Sequence, residues 1–240
     1  MKGLIQKILI FWLLFTIAIA IACATQPESR SLADKTQELI NQKKYRQAYE
    51  MLKPLADTGN PEANNEIADI YSHKDKENPY YNLEKAKQSL YIAANAGIAW
   101  GQIGLAQVLR HQFSEIYLKD IRNLNKPEIK ALWEKNTKES CMWYEKAARQ
   151  GIGLAMLSTG HCYHRGEITG RPDYITAYAW YALAEGRFEV EEGDPTAPQS
   201  MAEEFMRRTA KRGNLTKEQI QQALNLAKKL RDKISKVKKE

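Results

Sequence analysis

The chain has 240 residues, 43% of them hydrophobic and 27% charged, and its 36 Lys or Arg outnumber 29 Asp or Glu to give a formal charge of +7. The surplus sits at one end: residues 207–240 hold twelve Lys or Arg against three acidic residues, and the stretch from Cys23 to Met206 is net negative. No base-reading motif accompanies this basic end, and no nucleic-acid partner is assigned.

Lys2 and Lys7 precede Ile8 to Ala22, a run that is apolar apart from Thr16. A basic start followed by a short apolar stretch is the pattern of an export signal. Fifteen residues are short for a spanning helix, which needs about 20. Ala20-Ile21-Ala22-Cys23 closes the run and resembles the lipobox of bacterial lipoproteins, with Ala20 where Leu is commonest. The resemblance implies cleavage before Cys23, a diacylglycerol on its thiol and an acylated new N-terminus, palmitate being a usual chain. It implies attachment to the periplasmic face of a Gram-negative envelope. Ala24 is not the aspartate that retains such proteins in the inner membrane, so the outer membrane is favoured. Residues 1–22 are read as signal and 23–30 as lipidated linker.

From residue 31 onward the chain repeats. Gly59, Gly97 and Gly151 stand as equivalent turn positions. Four residues later come Ala63, Gly101 and Ala155, and nine later Ala68, Ala106 and Gly160. At twelve come Tyr71, Leu109 and Tyr163, and three before each glycine Ala56, Ala94 and Ala148. Small residues at these spacings let helices approach, and a glycine between helical runs suits a helix end with positive φ. The predicted pairs are Leu32–Asn41 with Tyr45–Thr58, then Pro61–Ser72 with Leu83–Asn95. A helix from Ala99 pairs with Lys135–Gln150 across an insertion, and Gly153–Tyr163 pairs with Tyr174–Ala184. Each pair alone exposes an apolar face, so stability is expected from stacking.

Residues 113–133 form the insertion. Phe113, Ile116, Tyr117, Leu118, Ile121, Leu124 and Trp133 make it too apolar for a free linker, and a short extra helix is predicted there. Cys141 lies ten residues before Gly151 and Cys162 eleven after it, similar heights in an antiparallel hairpin. An export route permits their oxidation; two buried thiols, or a metal cluster with His161 and His164, are the alternatives. Two histidines at i,i+3 without a clear third ligand are weak support for zinc, and no metal or cofactor is assigned. Arg187 to Pro198 reads as an acidic loop. Thr216 with Gln219 makes a capping box ahead of Ala223, Leu226, Ala227 and Leu230, one apolar stripe of a closing helix.

Gly151-Ile152-Gly153-Leu154-Ala155, Leu157, Tyr163, Gly166, Asp173 and Ala177-Tyr178-Ala179-Trp180-Tyr181 with Ala184 resemble a Sel1-like repeat, a relative of tetratricopeptide repeats. Cys141 to Ala148 with Gly151 looks like the end of the preceding unit, Ala86 through Ala94 with Gly97 is a fainter copy, and Lys53 to Gly59 is fainter still. Ser89 stands where Trp is usual, and no glycine closes the last unit at Phe188. The resemblance implies an all-α, right-handed α/α solenoid over residues 31–212 with a basic capping helix over 213–240.

No nucleophile elbow, Walker loop, dinucleotide fingerprint or HExxH is present, and no catalytic residue is assigned. The expected function is that of a lipid-anchored protein-binding module, with Tyr117 and Trp133 of the insertion as candidate partner contacts. The resemblance also admits two sharper versions. One is an immunity protein neutralising a type VI secreted phospholipase effector. The other is an enzyme acting on β-lactams or cell-wall material, for which the chain lacks a cysteine pair in every repeat.

Overall fold

A computed structural model describes residues 31–117, 126–185 and 198–237. Ten α-helices make up most of these residues: α1 (Leu32–Asn41), α2 (Tyr45–Asp57), α3 (Pro61–Ser72), α4 (Leu83–Asn95), α5 (Ala99–Tyr117), α6 (Pro127–Arg149), α7 (Gly153–Arg165), α8 (Tyr174–Glu185), α9 (Pro198–Arg212) and α10 (Lys217–Val237). Consecutive helices pack on each other from α1 to α9, and α10 returns to lie on α8. The architecture is an all-α solenoid of stacked helix pairs.

The three turn glycines behave as their spacing predicts. Gly59, Gly97 and Gly151 have φ of 82°, 92° and 91°, and each amide donates to the carbonyl three residues back, on Ala56, Ala94 and Ala148. Left-handed backbone is costly for a side chain with a Cβ, and glycine removes that cost. At two of the three turns a polar side chain five residues past the glycine reaches the same carbonyl. Asn64 Nδ2 donates to Ala56 O at 2.9 Å and Gln102 Nε2 to Ala94 O at 3.2 Å. Carbonyls at a helix end need such partners, and these two residues carry no apolar signal that would reveal the role.

The small-residue positions are the helix contacts. Ala56, Ala63, Ala68, Ala94, Ala106, Ala148 and Ala155 are all buried. A Cβ on Gly160 would lie 2.5 Å from the Tyr181 ring, and one on Gly101 2.7 Å from Ala93 Cβ. Trp143, Trp180, Tyr144 and Tyr181 fill the space between hairpins and are buried. Pro61 begins α3 behind the N-cap Asn60, whose side chain accepts from Ala63 N. Thr216 and Gln219 form the expected capping box before α10.

One expectation is corrected and one is extended. The insertion contributes no separate helix among the described residues: 113–117 continue α5, and α6 begins at Pro127 rather than Lys135, so the third pair has helices of 19 and 23 residues. Pro127 fits the first helical turn, where its missing N–H costs nothing. The chain's end is also richer than one capping stripe. Besides α10, which buries Ala223, Ala227, Leu230 and Ile234, α9 buries Ala202, Met206 and Thr209. Both pack on α8, whose residues from Ala179 to Ala184 are all buried.

Candidate protein-binding surface

The repeat register that fixes the core also fixes an open stripe. Positions 3, 7, 10 and 14 after each turn glycine follow one face of the first helix of a pair, the i, i+4, i+7, i+11 spacing. At position 3 stand Glu62, Trp100 and Leu154, all exposed. At position 7 are Glu66, Gly104 and Ser158, at position 10 Asp69, Gln107 and His161, and at position 14 His73, His111 and Arg165. The stripes of α3, α5 and α7 therefore present equivalent positions with different chemistry, as a row of recognition residues would.

A groove of about 300 Å³ crosses this face, lined by α1, α3, α5 and the start of α7. Its carboxylates are Asp34, Glu66 and Asp69, and no Lys or Arg lines it. Asp34 accepts from Ser31 N within a capping box, and Glu66 Oε1 accepts from Asn65 Nδ2 at 2.9 Å. Burial holds the Glu66 carboxyl above its usual range, with Asp34 adding to the effect. Crowding by protein, reinforced by Glu66, raises Asp69 to about 6, although water reaches it from the open side. Three carboxylates thus share one groove that no described Lys or Arg lines. In their midst Trp100 is 58% exposed and Leu154 41% exposed. Gly104 lets α5 approach α4: a Cβ there would meet Leu90 Cδ2 at 2.8 Å.

A second cleft, about 560 Å³, opens between α7 and α9. His161, His164, Arg165, Arg208, Thr209 and Arg212 line it over Tyr181 and Phe205. His161 Nδ1 lies 2.9 Å from Leu157 O, and the ring meets Phe205 edge-on at 4.4 Å. His164 Nδ1 lies 2.8 Å from Thr209 Oγ1. Burial lowers the pKa of both imidazoles, with Arg212 adding to the effect on His164. No carboxylate lines this cleft.

The remaining expected site residues are placed as follows. Cys23 and the acidic stretch 187–197 lie outside the described residues. Tyr117 ends α5, with its side chain outside the description, and Trp133 lies near the start of α6, a second helix, away from the groove. Cys141 and Cys162 form a disulfide linking α6 to α7, with Cα atoms 5.8 Å apart. Arg110 Nη2 donates to Glu167 Oε2 at 2.6 Å and stands 3.1 Å from Cys141 Sγ. The sulfur carries no hydrogen, so its 3.2 Å approach to Glu167 Oε2 is a packing contact. Cys141, Cys162 and Glu167 are the one group of three potential metal donors among the described residues. They do not fit a metal: the sulfurs are bonded to each other and a guanidinium already neutralises the carboxylate. His161 and His164 join the α7–α9 cleft instead.

Trp100, the most exposed large apolar residue among those described, was missed by the sequence reading. Its signal was its register: it stands three residues after Gly97, where Leu154 stands after Gly151. No described helix is long and apolar enough to cross a membrane.

No family model matches the chain, and no curated protein does. Its neighbours among solved structures are Sel1 repeat proteins. A Sel1 repeat protein from Oxalobacter formigenes is 25% identical with a TM-score of 0.42, over 65% of this chain and 95% of the other. A protective antigen present in uropathogenic Escherichia coli strains, displaying an SLR fold, is 21% identical with a TM-score of 0.38, over 80% of this chain and 43% of the other.

Proposed function

We propose that the chain is a protein-binding solenoid, tethered through Cys23 to the periplasmic face of a Gram-negative outer membrane, and that it grips an apolar and basic segment of another protein in the α1–α3–α5–α7 groove. One observation carries the binding site: Trp100 and Leu154, exposed at equivalent positions of successive helix pairs, share a groove with three carboxylates and no described Lys or Arg. Aromatic anchors with large contact area and little rotamer entropy dominate protein interfaces, and carboxylates around one select basic residues. Stacked pairs offer a continuous surface of this kind. The tether is supported by the apolar run ending at Ala22-Cys23, and a disulfide between Cys141 and Cys162 accords with an oxidising compartment.

The test is capture of partners by the whole chain from envelope extract and from the medium of competing bacteria. Trp100→Ala with Leu154→Ala, in a protein that keeps its helical circular dichroism, should lose the captured partner, while Trp133→Ala should retain it. Retention by the groove variant and loss by Trp133→Ala would return the site to the insertion. Capture of a phospholipase, with its activity abolished at stoichiometric ratio, would identify the immunity version of the same binding function.

A further inference from the structure

The two depressions are of opposite charge and lie at the two ends of α7. On α7, Leu154, Ser158, His161 and Arg165 follow at i, i+4, i+7 and i+11, one stripe of the helix. Leu154 closes the acidic groove and Arg165 belongs to the basic cleft. Eleven residues of helix separate them, about 16 Å, a span that an extended peptide covers in about five residues.

The charges of the cleft are only partly satisfied from within. Arg208 Nε donates to Glu204 Oε1 at 2.5 Å, and Arg165 Nη1 stands 3.7 Å from Glu167 Oε1. Neither glutamate lines the cleft. Arg212 lines it with no carboxylate within ion-pair distance among the described residues. Arg208 and Arg212, four apart on α9, face Arg165 across an aromatic floor. Guanidinium forks spread over an open cleft suit several separate planar carboxylates better than one compact ion.

We propose that the α7–α9 cleft takes an acidic segment, Glu or Asp side chains, of the same partner chain that the groove binds, so that the partner carries an apolar and basic anchor followed about five residues on by an acidic block. This rests on the groove reading above and adds polarity to it. A chain laid in the reverse direction sets like charges together at both ends, so the arrangement selects orientation as well as partner.

The experiment uses hexaglutamate and hexalysine as probes, titrated calorimetrically into the whole chain in detergent at low salt. Hexaglutamate should bind, and Arg208→Ala with Arg212→Ala should weaken it about tenfold or more, with unchanged thermal melting as the check on folding. Lys228→Glu with Lys233→Glu, exposed on α10 and outside the cleft, should leave it nearly unchanged. Arg208→Glu with Arg212→Glu should turn the cleft's preference to hexalysine. Hexaglutamate binding indifferent to the arginine pair, or lost equally on the α10 reversal, overturns the proposal by assigning the attraction to the basic tail. Displacement of hexaglutamate by inorganic phosphate at matched charge also overturns it, in favour of a small-anion site. Trp100→Ala should not change hexaglutamate binding. If partner capture also survives that change, the groove reading fails while the cleft stands; if only the arginine variants are silent, the cleft fails and the groove stands.

Discussion

Single residues in this chain act through backbone sign and contact distance. Gly97 has φ of 92° and open space around its missing Cβ, so Gly97→Ala should lose about 1–2 kcal/mol from backbone conformation alone, and Gly97→Asn less. Gly160→Ala has the opposite cause, since its new methyl meets the Tyr181 ring. Ala148→Leu overpacks a fully buried helix contact and should lose about 1–3 kcal/mol. Urea denaturation of the four variants checks all of these, and an unchanged midpoint for Ala148→Leu would contradict the packing. Asp69 gives a pH prediction. Its folded pKa of about 6 lies above the ordinary 3.8, so the folded chain binds its proton more tightly. Stability from this group is therefore greatest below that window and falls as pH rises through it. The charge that holds a basic partner develops around the folded pKa itself. Affinity for a lysine-rich segment should rise from about pH 5 to about pH 7, and Asp69→Asn should flatten that rise.

At the scale of elements, the joint between α6 and α7 is the most constrained. A disulfide closes 21 residues there, and Arg110 of α5 ties to Ser140 of α6 and to Glu167 beyond α7. Cys141→Ser with Cys162→Ser should lose roughly 3 kcal/mol by loop-closure entropy, read as a lower melting temperature that reductant no longer changes. Two free thiols in unreduced protein would contradict the bond. The last pair depends on what covers it. Trp180, Tyr181 and Leu183 of α8 are buried, with α7, α9 and α10 all packed on that helix. A chain ending at Glu185 would bare an apolar face, so it should aggregate or bind a hydrophobic dye, whereas a folded soluble monomer would show that α9 and α10 are not needed as a cap.

At the scale of the whole molecule, charge runs along the stack. Position 10 of the register reads Asp69, Gln107, His161, and the lining of the two depressions passes from three carboxylates to three arginines. A uniformly charged partner would be attracted at one end and repelled at the other. The tether carries its own prediction: the N-terminal peptide of the mature protein should begin at acylated Cys23 by mass spectrometry, and Cys23→Ser should release the chain from membranes. An intact N-terminus would refute the lipoprotein reading.

The helix pairs, their turns and their close contacts were legible in the linear sequence because each is a local constraint. A glycine with positive φ, a small residue where backbones meet and a cap three residues before its partner all act within one turn of helix. The near-equal offsets of Cys141 and Cys162 from Gly151 belong to the same class, since a hairpin's geometry is set at its turn. The groove and the cleft were not legible in that way. Asp34, Glu66, Trp100 and Leu154 come from four helices, and Arg165 and Arg208 are 43 residues apart. Only stacking decides that they share a face. The insertion shows the same limit: its apolar residues announced helix, but whether that helix stands alone or lengthens its neighbours depends on what lies beside it. Local backbone chemistry determined the elements, and the packing of elements distant in the chain decided which exposed side chains meet and with what charge.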